Sequence, residues 1–444
     1  MTSQKRVKIL TFVMLIVGFG IPKMLFAQQT VRPMIWVSPV EKDSILIKIK
    51  SHGWAKEYFE AFKKRIQPDL ESYIKDPKEY LAALPFDLSK QEAGEIAPFQ
   101  FVLDKDKDAN TKRNKFQHYL KTGIDCGVIY YLTGDKKYAE YSASVFYTFM
   151  NALLQIKPSA EVTNGGWLYQ DNHLREAREI GAQLPILYDF IVPFIKKGGT
   201  AYNFASNTQE KIEIAEAEKI FKTYIDLALN HGIINCNWPV LESPSLVGNI
   251  LALDSKAERD SLLIYYLEKD TPHQDALAKV AKVYYEDGDW PESLNYSGAV
   301  TGLTTYLMTM LTRIDPSLAL GEKYPEVTDA LTLPYYLTYP NGEQTIQFGD
   351  GHREFAKSYS SYEIGYYLAK LGNDKKKLEQ FGSLINSGIK YDNYNRAYLG
   401  KRSYGAFPYF SQPLQLLWAS GNVQGEIKDY PKPVTNGLPF AGIS

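Results

Sequence analysis

The chain has 444 residues, 50 Lys plus Arg against 51 Asp plus Glu, and 45% hydrophobic content. That apolar share supports one large helical domain or two ordinary ones and excludes a disordered chain, while the absent basic excess excludes a general nucleic-acid binder. Cys126 and Cys236 stand alone; they exclude a disulfide framework and a multi-Cys metal site, and read as two small buried hydrophobes, with pairing the alternative.

In chain order, Lys5, Arg6 and Lys8 precede an apolar run from Ile9 through Ile21, and Leu25-Phe26-Ala27 leads into a polar stretch. This pattern predicts a signal peptide over 1–27, cleaved after Ala27, and so an exported chain, periplasmic or secreted. The run is too short to cross a bilayer core of roughly 30 Å, so no membrane partner is expected after cleavage. Loss of the leader leaves 46 Lys plus Arg against 51 Asp plus Glu. A mildly acidic chain must hold any polyanion through a local basic cluster.

Beyond Trp36-Val37-Ser38-Pro39 and a Lys-rich helix, Phe116, Leu120, Ile124, Val128 and Tyr131 recur at helical spacing. Gly134-Asp135 breaks the stripe before a second one through Tyr138, Tyr141, Val145, Phe149 and Leu153, which together predict a helical hairpin. Further helices are predicted over 172–195, 209–230, 238–253, 273–285, 297–314, 354–371 and 375–388. No fixed repeat period is present, so residues 28–425 are expected to form an all-α, (α/α) toroid of antiparallel helix pairs rather than a solenoid. The loop-like Tyr404-Gly405-Ala406-Phe407-Pro408 and the Pro- and Gly-rich 426–444 read as linker and the start of a strand.

Three loops carry the chemistry: Asn235-Cys236-Asn237-Trp238, then Glu286-Asp287-Gly288-Asp289-Trp290-Pro291-Glu292-Ser293-Leu294-Asn295-Tyr296, then Phe348-Gly349-Asp350-Gly351-His352-Arg353. With Trp36-Val37-Ser38-Pro39 and Arg175-Glu176-Ala177-Arg178 leading into Leu187-Tyr188-Asp189, they resemble the heparinase II/III-type polysaccharide lyases over about residues 32–353. The resemblance implies a helical toroid followed by an antiparallel β-sandwich, and on that reading the chain is truncated before the sandwich. The family's sandwich supplies a further His and can hold a structural zinc or calcium ion. The six His and two Cys of this chain offer no zinc constellation, so no cofactor is expected within it.

The resemblance further implies cleavage of a uronate-containing acidic polysaccharide by β-elimination. That reaction removes the weakly acidic C5 proton beside an ionised carboxylate, so the site must neutralise the carboxylate and supply a base and then an acid for O4. The family's acid/base Tyr carries over to Tyr296. A free phenol ionises near pH ~10, so a base role requires a neighbouring cation. Asn237 offers an amide to the carboxylate at a helix start, or else a helix cap. The family places an Asn or His about one and a half turns further on. This chain has Glu242 and Ser243 there, leaving Asn237, Asn235 and His231 as candidates in that order.

For substrate binding, Trp238 and Trp290 flank the motifs, and Glu292 either orients Tyr296, holds a sugar hydroxyl or adds helix N-terminal charge. His352 and Arg353 form the best local positive cluster. Arg175 and Arg178 share a helix face and either grip a carboxylate or sulfate or pair with Glu176 or Glu179. Trp167 and Tyr169 are read as sugar-stacking residues or core aromatics. Glycosaminoglycan, alginate and ulvan all present uronates, and the sequence favours none. The alternatives are a toroid glycoside hydrolase using paired carboxylates among Glu242, Asp287 and Glu292, and a non-catalytic glycan-binding protein of an uptake system.

Overall fold

A computed structural model describes residues 30–86, 102, 105, 107–339, 345, 346, 349, 358–398 and 413–427. The leader expected over 1–27, residues 399–412, which include the loop-like stretch expected at 404–408, and the segment after 427 lie outside the described residues. Helices α1 (Lys42–Ser51), the 23-residue α2 (Gly53–Lys75) and the short α3 (Pro77–Ala82) come first, and α4 (Ala109–Thr133) and α5 (Lys136–Leu154) form the expected hairpin. Gly134 adopts the left-handed conformation (φ 77°) that closes α4, and Asp135 caps α5 by accepting from the Lys137 N–H. Both hairpin stripes face inward: Phe116, Leu120, Ile124 and Val128 meet Tyr141, Val145, Phe149 and Leu153 in one core.

The 172–195 stretch is not one helix. It divides into α6 (His173–Glu176), a π turn over Ala177–Gly181 and α7 (Leu184–Ile195). The helix expected over 209–230 begins only at Ile214; residues 208–210 instead form a two-stranded antiparallel hairpin with 201–203. Then come α8 (Ile214–Asn230), α9 (Trp238–Ala252), α10 (Lys256–Leu267), α11 (Leu277–Asp287) and α12 (Leu294–Ile314). Short turns α13 (Leu320–Lys323), α14 (Pro325–Ala330) and α15 (Leu333–Tyr336) lead to α16 (Tyr359–Leu371), α17 (Lys375–Tyr391) and α18 (Leu414–Trp418).

Helices pair along the chain, α4 with α5, α8 with α9 and α16 with α17, while α9 packs on α12 and α12 on α16. The two ends of the chain of helices meet. The Trp418 indole donates to the Trp36 carbonyl (2.7 Å), Trp36 donates to the Tyr306 hydroxyl (2.7 Å), and the Lys48 ammonium donates to the Leu417 and Ala419 carbonyls. A buried Arg32–Asp189 pair locks the entering segment, because Asp189 also accepts the Met34 and Ile35 N–H groups. The result is the all-α, toroid-like architecture expected from the helix pairing.

Many of the 33 tyrosines belong to this core. Tyr58, Tyr141, Tyr169, Tyr188, Tyr224, Tyr284, Tyr306 and Tyr362 are fully buried, so aromatic richness reflects packing before it reflects sugar stacking. Both cysteines are free, Cys126 buried in α4 and Cys236 half-buried in the Asn-Trp loop. No helix among the described residues is long and apolar enough to cross a membrane.

Candidate functional site

The helices α9 and α12 lie side by side and both begin at one end of the molecule, where α8 and α11 stop. Asn235 takes a left-handed turn (φ 64°), and Asn237 stands at the helix entry of α9. Its side chain does not cap that helix. Instead the Asn237 amide reaches across to Glu292, with Nδ2 3.1 Å from Oε1 and 2.9 Å from Oε2. The Trp290 indole N–H donates to the same carboxylate at 2.6 Å. Loops that stand 55 positions apart in sequence are thereby joined through one carboxylate.

In the second loop, Gly288 (φ 78°) ends α11 and turns the chain so that Asp289 points inward, where the Trp290 N–H and the Ser297 hydroxyl donate to it. Burial pushes its carboxyl up to about 7. Tyr296 lies in the first turn of α12 and is 45% exposed, so its hydroxyl is open to a ligand. Of the third loop, Gly349 packs beside Ser293, its Cβ direction 3.6 Å from the Ser293 Cβ. The third loop thus reaches the second at this point. His352 and Arg353 lie outside the described residues, as do the side chains of Glu286 and Asp287.

Beneath the Asn-Trp loop sits a buried polar layer. The His231 ring bonds the Gly165 carbonyl (3.1 Å), and the Asn164 N–H donates to the His231 carbonyl (3.0 Å). His231 is thus tied to the protein rather than presented to solvent. Glu242, read as substrate-binding, is fully buried in α9, 3.7 Å from the equally buried His173 ring, and neither side chain has a hydrogen-bond partner. Burial holds Glu242 well above the usual carboxylate range and lowers His173 to about 3, with His231 contributing to the latter, so burial favours the uncharged form of each. Full burial also removes Glu242 from the exposed carboxylates a hydrolase would pair across a cleft.

Trp167 and Tyr169 are core residues, 3% and 0% exposed, which rules out their stacking on a sugar in this conformation. The cause is Glu176: its fully buried carboxylate accepts the N–H groups of Trp167, Leu168 and Tyr169 at 2.6–2.8 Å and the Tyr224 hydroxyl at 3.0 Å. Gly166 is required here, since a Cβ would stand 2.3 Å from the Tyr169 carbonyl and 2.5 Å from the Glu176 carboxylate. Glu176 and Asp289 lie inside the motif stretches, but neither receives a role of its own from the sequence; flanked by other charged residues, neither carries a sequence signal of its burial. Arg175 is exposed and pairs with Glu179 at 3.7 Å, as the salt-bridge alternative had it, and Arg113 binds the same carboxylate. Arg178 is half-buried in the π turn, and Trp238 and Trp290 are half-buried at the two loop entries.

The largest described cavity, about 1170 Å³, is at the other end of α9 and α12, lined by Asp254, Ser255, Arg313 and Ile314. Arg313 there is engaged by Glu41 and the Met34 and Ile35 carbonyls, so its charge serves the fold. Chemistry converges instead on the loop end. Among the described residues no group of His, Cys, Asp and Glu could hold a metal ion.

A family model described as the second domain of endo-acting ulvan lyase matches residues 286–433, a third of the chain, beginning at the Trp-Pro-Glu loop. An endo-acting ulvan lyase of Formosa agariphila is 25% identical over 454 aligned positions, which take in all of this chain and 52% of the relative. The chain therefore spans about half the length of that relative. Both likenesses are to polysaccharide lyases, and neither carries the heparinase II/III label suggested by the motifs.

Proposed function

We propose that this chain is the helical part of a polysaccharide lyase of the heparinase II/III type, which cleaves an exported or environmental uronate-containing polysaccharide by β-elimination. The observation that supports it most is the Asn237–Glu292–Trp290 junction, which joins the Asn-Trp loop to the Trp-Pro-Glu loop beside an exposed Tyr296. The likeness to an endo-acting ulvan lyase makes ulvan the first substrate to test. On this reading donors at the entry of α9 stabilise the charge that develops on the uronate carboxylate as the C5–H bond breaks. Tyr296 takes that proton, the C4–O4 bond breaks as the C4=C5 double bond forms, and the proton is returned to the departing O4. The leader expected over 1–27 supports an activity outside the cytoplasm.

Elimination creates an unsaturated uronate that absorbs in the near ultraviolet, whereas hydrolysis does not. Ulvan, alginate and heparan-type polymers are incubated with the protein and absorbance is followed. Tyr296→Phe removes one oxygen from an exposed ring, so folding and affinity should survive while the rate falls roughly 10²–10⁴-fold. Wild-type turnover by Tyr296→Phe, or cleavage without an absorbing product, refutes the proposal.

A further inference from the structure

The Glu292 carboxylate is already held as an incoming carboxylate would be. Both of its oxygens are engaged, by the Asn237 amide at 3.1 and 2.9 Å and by the Trp290 indole at 2.6 Å. Every donor is neutral, and among the described residues no Lys or Arg forms an ion pair with Glu292. The group sits at the entry of α9, a 15-residue helix whose first N–H groups favour negative charge. Asn237, Trp290 and Glu292 are each only partly buried, so a ligand can reach the junction.

We propose that Asn237 and Trp290 form a carboxylate-binding cradle and that Glu292 is its resident occupant, displaced when a uronate carboxylate enters. Two carboxylates cannot share two donors at this spacing without repulsion. Glu292 therefore competes with the ligand and weakens uronate binding in the resting protein. A neutral sugar has no carboxylate to place in the cradle, so the competition leaves its binding untouched and lowers the affinity for uronates alone. The inference relies on the proposed lyase function only for the kind of carboxylate that enters. Trp290, read from the sequence only as substrate-binding, takes on this account the part of a directional donor.

The experiment is calorimetric titration with two probes: a uronate tetrasaccharide prepared from ulvan, and the same oligosaccharide with its carboxyl groups reduced to alcohols. Glu292→Ala empties the cradle and is expected to bind the uronate form about ten-fold more tightly than wild type, with affinity for the reduced form unchanged. Glu292→Gln leaves a weaker, uncharged acceptor in place and should give a smaller gain of the same specificity. Adding Trp290→Phe to Glu292→Ala should abolish the gain. Should Glu292→Ala fail to fold, Glu292→Gln with wild-type circular dichroism carries the test. Wild-type or weaker uronate affinity in a folded Glu292 variant, or an equal gain for both probes, overturns the cradle. Binding is read without turnover, so a uronate-specific gain in a protein that yields no unsaturated product supports the cradle while rejecting the lyase.

Discussion

Asp289→Asn probes the carboxyl that burial raises from 3.8 to about 7 in the Trp-Pro-Glu loop. Asp289 is 3% exposed, so solvent screens the effect little. A raised carboxyl binds its proton more tightly in the folded state than in the unfolded one. Stability from this group is therefore intact below the unfolded value and is lost as pH rises toward about 7. With about 1.4 kcal/mol per unit, the complete loss is on the order of 4 kcal/mol, of which about 3 falls between pH 5 and pH 8. The Asn variant cannot ionise, and the one acceptor it gives up to the Trp290 N–H or the Ser297 hydroxyl costs the same at every pH. Urea unfolding at pH 5, 6, 7 and 8 should show the variant gaining about 3 kcal/mol on wild type across that range. A difference flat to within about 1 kcal/mol would mean that Asp289 ionises normally and that its burial is relieved by water.

Glu176→Ala should be among the costliest substitutions in the chain, because it leaves the N–H groups of Trp167, Leu168 and Tyr169 without their acceptor. At about 1–3 kcal/mol for each buried unsatisfied donor, a loss on the order of 4 kcal/mol is expected in urea unfolding, and a loss under about 1 kcal/mol refutes the account. Reversing the charge of Arg175 or Arg178 should weaken polyanion binding more than reversing Lys256, which lies beside the cavity at the far end of the molecule, and the contrast should shrink with added salt. Equal effects from all three in a filter-binding assay would exclude a local basic patch.

Much of the fold was legible because helix stripes are written in apolar spacing, and the α4–α5 hairpin keeps every expected core position but the half-buried Tyr138. The misses have physical causes. Helix α10 escaped because Lys256-Ala257-Glu258-Arg259-Asp260-Ser261 offers no apolar stripe; among its residues only Arg259 and Tyr266 are buried. The 172–195 reading ran through a break because its apolar periodicity continues, while the π turn over Ala177–Gly181 shifts the register between α6 and α7. The hairpin over 201–210 is held by backbone pairing, which hydrophobic periodicity does not report.

The site was legible as a set of motifs but not as a set of contacts. Asn237 is the clearest case: its neighbours in sequence suit a cap, and the partner that draws its amide away is Glu292, 55 positions on. Trp167 and Tyr169 look like stacking aromatics in a Gly-rich loop until Glu176 folds that loop inward. Glu242 occupies a position where a neutral donor is expected, and its burial against His173 shifts it toward the neutral form. Leaving that pair without hydrogen bonds is unfavourable, and so is raising Asp289. Departures from good packing of this kind persist where function requires them. Orphaned buried atoms also occur at Asp254 and Arg313 beside the larger cavity at the far end, so they do not by themselves choose between the two ends; what sets the loop end apart is the Asn237–Glu292–Trp290 contact, which joins two of the motif loops.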